Sequence, residues 1–259
     1  MGRMTVIAGA PPVALANAPK IIMTGFEKEV ANMPGLLHFV DPAWLASDAS
    51  GRDRMSGAIV TPRGVNTKNA SDSNFNGQAT IKATTAASGV YLPQGAVTPS
   101  YTAIVVSRLD PDRYDAAQQA YMFAITGPNN EFRANLRSLS SHGRTFDPGN
   151  GATTNTIANT SAPGRGVVGM WGVSFDFETK QSALLYNNGA DYNLVNHSAA
   201  YTPVAGDRWN IGCLLGAGNS GWVGDMAIAV IFDRAMHLPT NRPYLDRLTS
   251  LFRSKYGLS

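Results

Sequence analysis

The last fifty residues constrain the fold most, because they pass from short apolar runs to one long amphipathic segment. Residues 208–216 and 226–235 are short and rich in apolar and β-branched side chains, and a glycine-rich stretch separates them. Such runs are typical of two β-strands joined by a turn. Residues 244–257 differ, because their apolar side chains recur at helical spacing and form one stripe. These are Leu245, Leu248, Leu251, Phe252 and Tyr256.

The ends of this predicted helix carry the expected residue types. Thr240 and Asn241 are residues that cap helix N-termini, and Pro243 suits a first turn. Gly257 suits a C-terminal stop, because glycine adopts the left-handed conformation at little cost. We therefore expect one C-terminal helix that docks its apolar stripe on the β-structure.

The rest of the chain repeats the strand pattern between turn residues. The run at 101–109 is almost continuously apolar, which predicts a central strand. Asn187-Asn188-Gly189 separates two apolar runs and predicts a hairpin turn, since these residues tolerate positive φ. We interpret 46–80 as loops with short strands between them and 140–165 as a long loop. The remaining predicted strands lie at 35–45, 120–126, 131–137, 166–177 and 182–195.

Length and composition favour one large all-β domain. The chain has 259 residues, of which 44% are hydrophobic and only 15% charged, and it is long enough for a sizeable core. Residues 1–34 are rich in Ala and Pro, with a short amphipathic piece near 20–32. We interpret them as an N-terminal arm or adaptor, with a poorly ordered terminus as the alternative. Residues 35–259 would form the domain.

The charge and the apolar runs limit the classes of partner. A net charge of +3 is too small to indicate nucleic-acid binding. No apolar run is long enough for a membrane span, and no secretion signal is evident. The single cysteine, Cys213, has no partner in the chain for a disulfide and is expected to be buried.

Three segments resemble laminin-G-like (concanavalin A-like) jelly-roll domains. Residues 171–189 resemble the family's W-x-V…D…L-Y-V-N-G hairpin, and residues 222–235 resemble its strand ending in R-A. Residues 245–257 resemble its trailing helix. The chain departs from the pattern at Asn187, where Val is usual, and at Ala227, where Glu is usual. The resemblance implies an all-β, two-sheet antiparallel jelly-roll sandwich that presents a surface for sugars or proteins, as in phage structural and bacterial surface proteins.

Motifs for catalysis are missing from the sequence. The paired-glutamate strand motif of sandwich glycoside hydrolases needs two glutamates five residues apart, and the four glutamates do not provide it. Asp176 and Glu178 are expected to flank a turn in solvent. The four histidines show no metal-ligand spacing. We therefore predict a non-enzymatic protein with no required cofactor. Calcium is the one candidate, with loop oxygens from Asp48, Asp53, Asp72, Asp110, Asp112 and Asp191.

Aromatic and polar residues near the hairpin are the predicted ligand-binding residues. Sugar rings stack on Trp and Tyr, and Trp222 follows a glycine-rich turn that could expose it. Trp171 and Trp209 are expected in the core. The predicted ligand-binding set is Trp222, Tyr186, Asn188, Tyr192 and Asp191.

These observations lead to three functional hypotheses. The first is a virion decoration or tail-associated protein that adheres to surface glycans, with residues 1–34 tying it to other virion subunits or to further copies of itself. The second is a stand-alone, extracellular bacterial carbohydrate-binding module. The third is a polysaccharide-cleaving enzyme using Asp176 and Glu178. Nucleic acid and membrane are excluded as partners in each.

Overall fold

The computed structural model describes residues 23–95, 97–189, 191–214 and 220–259. Over these ranges the chain forms two antiparallel eight-stranded sheets and a C-terminal helix. The predicted all-β two-sheet sandwich is therefore confirmed. The strands are β1 (Leu36–Val40), β2 (Gly51–Arg52), β3 (Ile59–Arg63), β4 (Asn66–Asp72), β5 (Gln78–Ala83), β6 (Gly89–Tyr91), β7 (Tyr101–Leu109), β8 (Ala120–Thr126), β9 (Phe132–Ser138), β10 (Arg144–Asp147), β11 (Asn155–Ile157), β12 (Gly169–Asp176), β13 (Gln181–Tyr186), β14 (Asp191–Asn196), β15 (Arg208–Ile211) and β16 (Gly224–Phe232).

The helices are α1 (Gly25–Ala31), α2 (Pro111–Asp115) and α3 (Arg242–Tyr256). Sheet one has the order β14-β13-β12-β7-β16-β5-β4, and β1 also pairs with β16. Sheet two has the order β11-β10-β9-β8-β15-β6-β3-β2. No helix of the described residues is long and apolar enough to span a membrane.

The central strands of sheet one are buried on both faces. In β7, Ala103 and Val105 belong to the core between the two sheets. Ile104 and Val106 belong to a second core, which sheet one forms with α1 and α3. Because successive side chains of a strand point to opposite faces, a strand between two cores must be apolar at every position. The continuous apolar run at 101–109 has this origin.

The C-terminal helix forms as the sequence predicts. Leu245, Leu248, Phe252 and Tyr256 are buried in the second core. Gly257 ends the helix with φ +66° and donates its N–H to the carbonyl of Arg253. The N-terminus differs from the prediction, because the side chain of Asn241 does not cap the helix. Its Nδ2 donates instead to the carbonyl of Ala235, 3.0 Å away.

The predicted loop at 140–165 is wrong in part, because it contains β10 and β11. These strands carry few apolar residues, and polar side chains bind their neighbours instead. Asn155 is fully buried, and its Nδ2 donates to Ser182 Oγ and to the carbonyl of Asn193 across the sandwich, at 3.0 and 2.8 Å. This network closes one side of the sandwich between β11 and the β13–β14 hairpin, a role that hydrophobic periodicity does not reveal.

The start of the described chain packs on the rest of the domain. Thr24 and Glu27 form a capping box at α1, and Val30 lies in the second core. Glu27 also accepts hydrogen bonds from Trp44 Nε1 at 2.8 Å and Arg54 Nε at 3.1 Å. Burial alone would raise the pKa of Glu27, but the bonds from Thr24 and Arg54 lower it overall. Most of the predicted arm lies outside the described residues, and the boundary at residue 34 stays a prediction.

Cys213, Trp171 and Trp209 are buried in the core, as expected. Burial raises the pKa of the Cys213 thiol to about 12, so this thiol is neutral and unreactive near neutral pH.

Candidate functional site

The outer face of sheet two carries a row of side chains that crosses six strands. Core residues on either side in sequence place four of these positions on the face away from the other sheet, and the two at the ends of the row each follow one core residue, Val60 or Phe146. The pairings Thr61–Tyr91, Tyr91–Asn210, Asn210–Ala124, Ala124–Asn135 and Asn135–Asp147 put six residues side by side. We call this surface the polar face. Its row consists of Thr61, Tyr91, Asn210, Ala124, Asn135 and Asp147.

Longer side chains flank the row on both sides. On one side Tyr121 pairs with Arg137, and Arg137 pairs with Thr145. On the other side Arg208 pairs with Thr126. Tyr91, Tyr121, Arg137 and Arg208 are all half-buried. Ala124 is the small residue in the centre, so aromatic and cationic side chains surround a floor made by alanine and two asparagines.

The two asparagines of the floor are buried but only partly hydrogen-bonded. Asn210 is 0% exposed, and its Nδ2 donates to Thr126 Oγ1 at 2.9 Å, whereas its Oδ1 has no partner. Asn135 is 2% exposed, and its Oδ1 accepts from Arg137 Nη1 at 2.6 Å, whereas its Nδ2 has no partner. An unmet buried polar group costs about 1–3 kcal/mol. The floor thus offers one acceptor and one donor on the two sides of Ala124.

The arginines of the polar face differ in whether a carboxylate pairs with them. The guanidinium of Arg208 lies 5.8 Å from the ring of Tyr91, and that of Arg137 lies 5.6 Å from the ring of Tyr121. Neither has a carboxylate within salt-bridge distance among the described residues, and the Nε of each lacks a hydrogen-bond partner. Arg133, on the same face, pairs with buried Asp207 at 3.5 Å.

This arrangement has the chemistry of a binding surface for polyhydroxylated molecules. A sugar hydroxyl both donates and accepts, so it can satisfy Asn210 Oδ1 and Asn135 Nδ2. Tyrosine rings pack against the C–H faces of sugars while their hydroxyls remain hydrated. The flexible arginine side chains can move outward to admit a ligand to the floor.

The expectation that Trp222 is exposed is wrong. Trp222 is 2% exposed and packs in the core, with its ring centre 5.0 Å from that of Trp171. Its backbone N–H donates to the carbonyl of Gly212, which directs the chain inward after the glycine-rich turn. The indole therefore offers no face to a ligand in this structure.

The other predicted residues surround the β13–β14 turn but do not share one surface. Tyr186 packs against the core between the sheets, and Asp191 is opposite it in the ladder. Tyr192 pairs with Leu185 of the second core, so it lies on the other face, with Arg242 at 4.3 Å from its ring. Asn188 has φ +57° and accepts the N–H of Met170 through its Oδ1. The turn forms as predicted, and its ligand-binding role stays a prediction.

Trp44 is the exposed tryptophan of the described residues, at 48%. It borders a surface hollow of about 440 Å³ that Arg52, Asp53 and Arg54 also line. The polar groups of this hollow are used internally. Arg54 stacks on Trp44 at 3.9 Å and pairs with Glu27, and buried Asp53 binds His38 Nδ1 at 2.5 Å. The hollow therefore offers an aromatic surface with few unmet polar groups.

The predicted acidic pair is not arranged as expected. Asp176 is buried, not in solvent, and its Oδ2 accepts from Thr179 N at 3.0 Å and Thr179 Oγ1 at 2.7 Å. Burial alone would raise the pKa of Asp176, but these bonds lower it overall. Glu178 is exposed. An ionised carboxylate that stabilises a turn is poorly suited to act as a general acid.

The aspartates proposed for calcium mostly stabilise their own turns. Asp48, Asp72 and Asp110 each accept a backbone N–H two residues further along. Within the described ranges, no three His, Cys, Asp or Glu residues are grouped so that they could hold a metal ion. Calcium binding stays a prediction.

The comparisons with known proteins show the fold alone. The sequence matches no protein-family profile, and no curated protein sequence is similar to it. Among solved structures, the chain is similar to domain 4 of AbnA, an extracellular GH43 arabinanase from Geobacillus stearothermophilus, in complex with arabinotriose. The TM-score is 0.54 at 11% identity, over 83% of this chain and 99% of that domain.

Two larger proteins contain a similar region. A Trypanosoma rangeli sialidase in complex with 2,3-difluorosialic acid matches 85% of this chain with TM-score 0.58 at 9% identity, over 33% of its own length. The botulinum neurotoxin type G receptor binding domain matches 85% of this chain with TM-score 0.52 at 10% identity, over 51% of its own length. These similarities support the β-sandwich, and the finer laminin-G-like resemblance stays a prediction.

Proposed function

We propose that this protein is a non-enzymatic carbohydrate-binding domain and that the polar face is its binding surface. The observation that carries the proposal is the pair of buried asparagines, Asn135 and Asn210, which each leave one polar atom unmet on the outer side of sheet two, beneath half-buried arginine and tyrosine side chains. Other buried polar atoms, such as Trp222 Nε1 and Asn66 Oδ1, also lack a partner, but these two lie together on one face, where one ligand can meet both.

The polar face suits this role better than the hollow beside Trp44. In the hollow, Arg52 donates to the carbonyl of Gly57 and Arg54 pairs with Glu27, so a ligand would have to break internal bonds. On the polar face a hydroxyl meets the unpaired Asn210 Oδ1 and Asn135 Nδ2, and Arg137 exchanges its bond to Asn135 Oδ1 for one to the ligand. The difference is about one hydrogen bond per asparagine, each with a net value near 1 kcal/mol.

The similar fold of the arabinanase domain in complex with arabinotriose supports a saccharide as the class of ligand. Two observations support a non-enzymatic role. Asp176 stabilises its own turn, and Glu178 is exposed and not paired with another carboxylate. These two residues therefore do not form the pair of facing carboxyl groups that glycoside cleavage needs.

Oligosaccharide array screening followed by calorimetry on the full chain tests the proposal. Asn135→Ala and Tyr121→Ala should each weaken the binding of any oligosaccharide found by at least about fivefold, the effect of losing one hydrogen bond or one ring contact. Trp44→Ala serves as the control and should bind as the wild type does. If Trp44→Ala abolished oligosaccharide binding and the two polar-face variants bound as the wild type does, the binding site would not be the polar face.

The virion setting is a separate proposal, and its support comes from the sequence alone. We propose that residues before α1 attach the domain to other particle subunits or to further copies, with a free extracellular module as the alternative. Because α1 belongs to the second core, deletion of residues 1–22 is a cleaner test than deletion of 1–34. Unchanged attachment to particles after that deletion would contradict the tether.

A further inference from the structure

The unneutralised arginines of the polar face point to the charge of its ligand. Arg137 and Arg208 have no acidic partner in the described chain, although they stand beside the two unmet asparagines. The acids on or beside this face do not pair with either arginine. Asp207 and Glu131 pair with Arg133. Asp147, which belongs to the row, accepts the N–H of Gly149 at 2.8 Å.

The strand register places the Cα atoms of the two arginines at diagonal corners of the floor. Arg208 precedes Asn210 by two residues in β15, and Arg137 follows Asn135 by two residues in β9. Since β15 and β9 both pair antiparallel with β8, they run in the same direction, and the two arginines lie on opposite sides of the row. From strand spacing and rise, their Cα atoms are on the order of 15 Å apart.

We infer that the polar face binds an acidic oligosaccharide, one that carries carboxylates on more than one of its sugar residues. This rests on the proposed function. The planar guanidinium groups of Arg137 and Arg208 bind carboxylates through paired N–H donors, and Asn210 Oδ1 and Asn135 Nδ2 bind hydroxyls between them. Two carboxylates on different sugar residues match two arginines whose Cα atoms lie on opposite sides of the row.

A neutral saccharide would leave part of this surface unused. It can meet the asparagines and stack on Tyr91 or Tyr121, but it cannot supply the charge that the two guanidinium groups lack. Its hydroxyl oxygens can accept from the unpartnered Nε atoms of both arginines, but they are neutral acceptors. Charged hydrogen bonds contribute roughly twice as much as neutral ones, so the face should prefer the acidic form of an otherwise identical ligand.

The decisive experiment compares uronate-containing and sialylated oligosaccharides with their methyl esters on one array, using the full chain. Methyl esterification removes the charge and retains the hydroxyls. We expect the free acids to bind at least tenfold more tightly than the esters, with binding that weakens as salt is added. Arg137→Gln and Arg208→Gln should each reduce binding of the acids at least tenfold.

Arg247→Gln is the matched control, because it removes the same charge from α3, on the other side of the sandwich, where Arg247 pairs with Glu29. It should not change binding. Equal binding of acids and esters through the polar face would overturn the acidic preference and leave the carbohydrate function intact. Binding of neither form, or binding that no polar-face variant alters, would count against both.

Discussion

Sheet one and sheet two have the same number of strands among the described residues, but their outer faces are used differently. The outer face of sheet one is covered by α1 and α3 and is apolar, with Ile104, Val106 and Ile228 in a second core. The outer face of sheet two carries asparagine, tyrosine and arginine, and neither of these helices packs on it.

This contrast separates stability from function. A face that packs against helices contributes to folding in proportion to the apolar area it buries. A face with buried, half-bonded asparagines and unpaired cations costs free energy. Sites that break the local rules of folding are where function is expected. Four measurements test this contrast between the two faces.

The largest effect is expected in the second core. Phe252 is fully buried in α3 and packs against Phe26 and Tyr256. Phe252→Ala should lower the free energy of unfolding by about 3–5 kcal/mol, because it removes a large buried ring and leaves a cavity. Urea denaturation monitored by tryptophan fluorescence measures it. A cost below about 1 kcal/mol would mean that α3 adds little to the fold.

Two buried asparagines of sheet two provide the next comparison. Asn155 uses its amide in several bonds across the sandwich, whereas Asn135 leaves its Nδ2 unpaired. Asn155→Ala should cost about 1–3 kcal/mol, because it leaves buried partners unsatisfied. Asn135→Ala should cost less than about 1 kcal/mol. Equal costs, measured by parallel urea titrations, would remove the distinction between a structural and a ligand-binding asparagine.

A pH effect of smaller size should come from sheet one. Burial lowers the pKa of His197 and of His237 below the ordinary value of 6.5. The unfolded chain therefore binds more protons than the folded one below about pH 6.5, and stability falls as the pH is lowered through that window. Urea midpoints at pH 7.5 and pH 5 measure the loss. His197→Gln should reduce this pH dependence, and an unchanged profile would exclude His197 as its source.

The smallest effect on stability is expected on the polar face. Arg208→Gln removes a half-buried side chain that has no ion pair. Its unfolding free energy should stay within about 0.5 kcal/mol of the wild type, even though ligand binding should weaken. A large destabilisation in thermal or urea unfolding would assign Arg208 a structural role.

The sequence predicts the sandwich because apolar and polar residues alternate along most of its strands. Strands that lie between two cores are instead apolar at every position. The helix α3 is predicted equally well from its apolar stripe and from Gly257 at its C-terminus. The strands β10 and β11 are not predicted because Arg144 and Asn155 are polar. Only the structure shows that they belong inside, Asn155 through its bond to the other sheet and Arg144 through its bond to Ser138 and its position 5.0 Å from the ring of Trp171.

The polar face could be foreseen only in part. The alternation of Arg133, Asn135 and Arg137 between apolar neighbours indicates a strand with one polar side. Asn210 lies 75 positions beyond Asn135, and the pairings of both strands with β8 bring them together. Trp222 shows the opposite error, since a glycine-rich turn permits exposure but the backbone bond to Gly212 turns the ring inward.

The packing of α1 and α3 on sheet one also fixes how the domain can be mounted. Met23 leads into α1, and Ser259 follows α3, where its carbonyl binds Asn188. Met23 and Ser259 thus both lie beside the helices that cover sheet one, on the side away from the two unmet asparagines. A support or a neighbouring subunit bound to this helical side would hold the domain from behind, with its arginines and tyrosines directed outward.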